Sequence, residues 1–125
     1  MRTQFLMMSL PFVFSVLASA QDDAQFQAWM KSMPASVGAI RTAADNAAAG
    51  PEAGKLADSF DKVAAFWKTR NADDAVKLSE TARDAARAIA SGSGDKAANL
   101  QKIQATCGTC HTAHREGTAP NFKIK

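Results

Sequence analysis

The sequence lacks most of what would send it toward other protein classes. It contains no Tyr, seven Gly, four Pro and two Cys among 125 residues. Gly and β-branched residues are scarce beside abundant Ala. That is a helical composition, and it argues against a mainly β domain. A basic cluster is also missing: 15 Lys and Arg stand against 12 Asp and Glu, a formal charge of +3. So small and scattered an excess gives no support to nucleic-acid binding. Beyond residue 20, no apolar run approaches the roughly 20 residues that a membrane-spanning helix needs. The length suits one compact domain and is too short for two.

What is present begins with a targeting segment, MRTQFLMMSLPFVFSVLASA, followed by Gln21. Arg2 supplies a positive start. Phe5 to Leu17 is mostly apolar, broken by Ser9, Pro11 and Ser15. Ala18-Ser19-Ala20 fits the small-x-small cleavage rule, and Gln21, Asp22 and Asp23 turn polar at once. Residues 1–20 therefore read as a cleaved secretory signal peptide. A membrane anchor is the weaker reading, because the apolar run is too short. With no Cys after it, a lipid anchor at that point is excluded. The segment predicts an exported, periplasmic protein with no membrane insertion after cleavage. Its loss removes one base and no acid, which leaves +2 on residues 21–125.

The mature chain shows four amphipathic stripes. Phe26, Trp29, Met30, Met33, Val37, Ile40 and Ala44 recur at three- and four-residue steps. Asp22 and Asp23 suit the start of that helix. Pro34 inside it should kink the helix after Met33 or split it. Ala49-Gly50-Pro51 should end it and let Pro51 open the second helix, whose stripe is Leu56, Phe60, Val63, Phe66 and Trp67. Asn71 should cap a third helix carrying Asp73 and Asp74 in its first turn and a narrow stripe of Ala75, Leu78, Ala82, Ala85 and Ile89. Ser91 to Gly94 is a loop, and Asp95 should cap the fourth helix. That stripe is Leu100, Ile103, Cys107, Cys110, His111 and His114, stopped by Gly117 and Pro120. Residues 118–125 read as an irregular tail. Short connections make consecutive helices antiparallel neighbours. The expected fold is all-α: an antiparallel up-down-up-down four-helix bundle.

Both cysteines fall in Cys107-Gly108-Thr109-Cys110-His111. C-x-x-C-H in an exported chain reads as covalent attachment of one c-type haem. Two thiols add to the two haem vinyl groups, and the next residue supplies an imidazole to iron. On a helix, Cys110 and His111 lie at about −60° and +40° from Cys107, so all three share one face. Leu100 and Ile103 continue that face as expected haem packing. Two other chemistries use the same residues. A thiol redox pair needs a βαβ context that the pattern does not suggest. Zinc has four candidate ligands in Cys107, Cys110, His111 and His114, but enclosing a tetrahedral site would break the helix.

The signal, the four helices and a C-x-x-C-H close to the C-terminus resemble the class II c-type cytochromes, the cytochrome c′ family. The resemblance covers residues 21–125 as one class II cytochrome c domain. Its specific part runs from Cys107 to Arg115. The family has an aromatic and then a basic residue after the motif; here His114 departs from the usual Phe or Tyr, and Arg115 fits the basic position near the proximal imidazole. A low-spin branch of the family places a Met from the first helix on iron, often followed by Lys. Met30-Lys31 looks like that branch, which makes His111 the proximal and Met30 the distal iron ligand. Met33, one turn further on, is the rival ligand, and plain core packing is the ordinary use of either Met. His114 is too close to His111 along the helix to reach the distal side. Phe26, Trp29, Phe60, Phe66 and Trp67 are candidate core and crevice walls, and Arg70 is a candidate propionate partner or a solvated helix end.

The reading implies a periplasmic electron carrier that hands single electrons between periplasmic redox proteins. The alternative is a five-coordinate haem protein that binds NO or CO. An enzyme is not expected, because the first helix offers no His or Arg beside Met30 and Met33 to polarise a bound peroxide. Class II relatives often dimerise through their first two helices, and the small face at Gly38, Ala39 and Ala43 permits a homodimer.

Overall fold

The computed structural model describes residues 14–125, with side chains from Gln21 onward. The greater part of the predicted signal peptide lies outside the described residues. Four helices carry the fold: α1 (Phe14–Thr42), α2 (Asn46–Lys68), α3 (Asp73–Ser91) and α4 (Lys96–His114). Two short strands follow, β1 (Arg115–Glu116) and β2 (Lys123–Ile124), paired antiparallel. Among the described residues, no helix is long and apolar enough to cross a membrane.

Helix ends follow local capping chemistry, and several differ from the sequence expectation. Asp22 and Asp23 do not start α1, which is already helical from Phe14. The stretch from Leu17 to Ala28 is Ala-rich and holds neither Gly nor Pro, so no residue there halts the helix. Pro34 does not split α1, which runs unbroken to Thr42. The α1–α2 boundary falls before Ala49-Gly50-Pro51. Asp45 caps α2 by accepting from the Ala48 amide at 2.8 Å, and Pro51 lies inside α2. A side-chain cap satisfies amides that are otherwise orphaned at a helix start, and here it outweighs the Gly-Pro pair. Asn71 does not cap α3. Its φ is 56°, and with Arg70 and Ala72 donating to the Trp67 carbonyl it closes the end of α2. Asn tolerates this left-handed geometry better than most residues. Asp73 and Asp74 do occupy the first turn of α3. Asp95 caps α4 as expected, accepting from the Ala98 amide at 2.7 Å.

The tail is not irregular. After α4, Arg115 pairs with Ile124 and Glu116 with Lys123 in a small hairpin. Gly117 makes its turn possible: φ is +89°, and a Cβ there would sit 2.8 Å from the Asn121 carbonyl oxygen.

Cross-helix contacts fix the directions. Ser36 bonds Glu52 and Asp23 pairs with Arg70, so α1 and α2 are antiparallel. Asp61 meets Arg83 and Arg87, while Gly50 lies against Ala90, so α2 and α3 are too. On α4, His114 bonds Asp74 near the start of α3. Lys96, at the start of α4, reaches the carbonyls of Ile40, Arg41 and Ala43 at the end of α1. The four helices therefore form an up-down-up-down bundle.

The two ends of the bundle differ. At one end Ile40, Ala53, Leu56, Ala86, Ile89 and Ile103 are buried to 1% exposure or less. The many alanines let α2 and α3 approach closely there. The other end is built from larger side chains, among them Phe26, Met33, Phe60, Phe66 and Trp67. At that end α1 and α4 stand apart, and a groove lies between them.

Candidate functional site

Helix α4 presents Cys107, Cys110 and His111 to this groove without a break in its helical path. Thr106, Thr109 and Thr112 each return their hydroxyl to the carbonyl four residues back, at 2.8, 3.0 and 2.9 Å. The hydroxyls thus bond within α4 and do not compete for groups in the groove. Both thiols are free and half-buried.

The groove comprises two adjoining cavities of about 370 and 260 Å³. Met30 and Pro34 of α1 and Cys110 and His111 of α4 line both. The larger cavity adds Phe26, Trp67 and His114, and the hairpin closes its side with Pro120, Phe122 and Ile124. Its rim carries Lys31, Arg115 and Lys123. The smaller adds Met33, Val37, Phe60, Val63, Leu78 and Cys107 and has no charged lining. Together they reach the size of a cofactor site with mostly apolar walls.

An aromatic cluster forms the floor. Phe26 stacks on Phe66 at 4.2 Å, and Trp67 meets both edge-on. Trp67 is 4% exposed, and its Nε1 is buried without a hydrogen-bond partner. A buried orphan donor costs about 1–3 kcal/mol.

The electrostatics decide which chemistry the motif can perform. Burial pushes the Cys107 thiol up. Cys110 is pushed up to about 11, by burial first and then by Cys107 and Asp74. Both sulfurs are therefore protonated near neutral pH, the opposite of an activated thiolate nucleophile. His111 is pushed down, by burial first and then by the Arg115 charge. Its imidazole is neutral near pH 7 and keeps a lone pair for a metal. Among the described residues, no three His, Cys, Asp or Glu side chains converge as a metal cage. The zinc arrangement of Cys107, Cys110, His111 and His114 is therefore not assembled on the intact helix.

The other expected site residues distribute unevenly. Met30 faces both cavities, whereas Met33 is 7% exposed and reaches only the smaller. Arg115 lines the larger cavity and lies 4.0 Å over the Phe122 ring. Of the expected crevice aromatics, Phe26, Phe60 and Trp67 line the cavities, whereas Trp29 packs half-buried against the core and lines neither. Arg70 pairs with Asp23 and lies over Phe66 at 4.1 Å, outside the groove lining. Leu100 and Ile103 share the face of Cys107 but belong to the closed end. The helix rises 1.5 Å per residue, which carries them about 6–10 Å from Cys107 to where the bundle has already shut. His114 Nε2 meets the Asp74 carboxylate across 2.7 Å, and its ring lies 4.7 Å from Trp67.

Sequence reasoning missed Pro34 as a groove wall, the orphan Trp67 donor and the hairpin wall. The alternation of Phe122 and Ile124 in the tail was the available signal for the hairpin. Comparison of the chain with protein-family models, curated proteins and solved structures finds no match.

Proposed function

We propose that the chain is a class II c-type cytochrome: a periplasmic, monohaem electron carrier and not an enzyme. The observation that carries this reading is Cys107, Cys110 and His111 on one unbroken helix, facing an apolar groove whose opposite wall is Met30. The donor set fits haem c. Cys107 and Cys110 would form the two thioethers, with each sulfur adding across a vinyl group. The neutral His111 imidazole and the soft Met30 thioether would be the donors that hold its iron. Bound haem would supply a one-electron ferric–ferrous couple. The chain's part would be to hold His111 and Met30 in place as donors and, with the apolar groove walls, to exclude water from the site. An apolar lining and a Met/His pair both raise a reduction potential. The buried Trp67 Nε1–H would donate to a polar edge of the cofactor. Residues 1–20 would direct export and be removed, and the partners would be periplasmic redox proteins.

The test is a preparation made from the full chain in a host that attaches c-type haem. The mass should equal residues 21–125 plus one haem, and the haem should survive acid-acetone extraction. A Cys107→Ala/Cys110→Ala protein should lose it. The spectrum should be low-spin in both oxidation states, with slow CO binding. Met30→Ala should become high-spin and bind CO readily, whereas Met33→Ala should change little. A wild type that is already high-spin and takes up CO or NO fast would make the chain a gas-binding protein instead.

A further inference from the structure

His114 is a titratable residue of the groove to which the proposed carrier gives no role. It stands on α4 one turn beyond His111 and lines the larger cavity. Three contacts or neighbours define its surroundings. Asp74, from the first turn of α3, meets its Nε2 at 2.7 Å. The Trp67 ring of α2 lies 4.7 Å away, and the hairpin amide of Lys125 donates to the His114 carbonyl at 3.0 Å. The imidazole is 18% exposed, so it is shielded yet still reached by solvent protons.

The hydrogen bond also fixes the tautomer. Asp74 is held below the usual carboxylate range, first by this bond. An ionised carboxylate only accepts, so Nε2 carries the hydrogen and Nδ1 keeps a free lone pair. The other charged groups on this end are Lys31 from α1, Asp73 beside Asp74 on α3, and Arg115, Glu116, Lys123 and Lys125 on and after the hairpin strands. Helix α2 presents the Trp67 ring, and its Arg70 is tied to Asp23. Among side-chain types, imidazole is the one that ordinarily changes charge between about pH 5 and 8.

We propose that the His114–Asp74 pair is a proton-linked site: His114 takes up one proton when the redox centre of the groove is reduced. The inference rests on the haem reading above. One electron enters iron from a reduced one-electron donor protein, and one proton enters Nδ1 from water. No bond to the cofactor is made or broken, and the net charge of the groove is unchanged. Asp74 stabilises the resulting imidazolium and holds its ring against Trp67. Reduction and protonation favour each other, and the coupling is reciprocal.

The experiment is a redox titration of the intact holoprotein at a series of pH values, after its mass has established one covalent haem. The midpoint potential should fall as pH rises. A tenfold higher proton affinity in the reduced form corresponds to a total fall of about 59 mV for a one-electron couple. His114→Gln should abolish the fall between about pH 5 and 8. Asp74→Asn, at an exposed position, keeps the imidazole and should retain the fall. The His114 ring resonances should titrate at higher pH in the reduced protein than in the oxidised one. A flat wild-type potential, or a pH dependence that survives His114→Gln, overturns the proposal while the haem reading stands. A preparation without covalent haem overturns both, and the mass distinguishes the two cases before any titration.

Discussion

Replacing Lys96 with Met should destabilise the bundle by about 1–2 kcal/mol. Lys96 clamps the end of α1 at the closed end of the bundle. Its Nζ donates to three carbonyls there, those of Ile40 at 3.1 Å, Arg41 at 3.3 Å and Ala43 at 2.5 Å. The last carbonyls of a helix have no partner within it and carry the negative end of the helix dipole. A hydrogen bond to a charged group contributes about 1.5–3 kcal/mol net, and a cation at a helix C-terminus about 0.3–1 kcal/mol. The three bonds do not add to that extent. Water replaces the ammonium at the exposed carbonyls, and freeing a lysine returns up to about 2 kcal/mol of side-chain entropy. Met keeps the aliphatic stem, so packing is little changed. The assay is urea and thermal unfolding of the intact protein, with Lys62→Met, at an exposed position on α2, as the control. Each kcal/mol should lower Tm by about 4–8 °C in a domain of this size. If Lys96→Met melts within about 0.5 kcal/mol of the wild type, as a featureless surface substitution does, the clamp carries no stability and the reasoning fails. The visible spectrum should be unchanged in either case, because the clamp lies at the opposite end of the bundle from Cys107 and His111.

Further tests address the other elements. Asp45→Ala and Asp95→Ala should each cost about 0.5–2 kcal/mol in urea unfolding, because each removes the side-chain cap of a helix. Ile103→Ala, at a fully buried position of the closed end, should cost about 2–5 kcal/mol and leave haem attachment intact. Gly117→Ala should loosen the hairpin, since φ is +89° and its Cβ would meet Asn121, and hydrogen exchange at Lys123 to Lys125 should speed up. Asp74 titrates below its ordinary value because of His114, so its pair stabilises the fold above the unfolded-state pKa and is lost as pH falls through the lower folded-state pKa. Asp74→Asn should therefore lower Tm near pH 7 and match the wild type once both carboxyl forms are neutral in strong acid.

Local sequence was enough for the helices and the reactive face. Stripes such as Phe60, Val63, Phe66 and Trp67 repeat at the helical period, and Ala-rich flanks supply propensity, so both signals are local and agree. The placing of Cys107, Cys110 and His111 on one face is likewise a property of helix geometry alone, and α4 keeps it. Asp95 was legible as a cap for the same reason: its partner is three residues away. Whatever depends on residues far apart in the chain was settled by tertiary packing. Which part of the α4 stripe meets an open groove, and which part meets a closed core, is set by where α1 and α4 separate. Ile103 and Cys107 are thus alike in sequence pattern and different in surroundings. That Trp67 lines the groove while Trp29 does not depends on how α1 and α2 are rotated against each other, which the stripes carrying the two residues do not reveal. The bond of His114 to Asp74, the reach of Lys96 across to α1 and the folding of Phe122 and Ile124 onto the groove each join residues about 40–90 positions apart, and contacts at that separation leave no local periodicity to read.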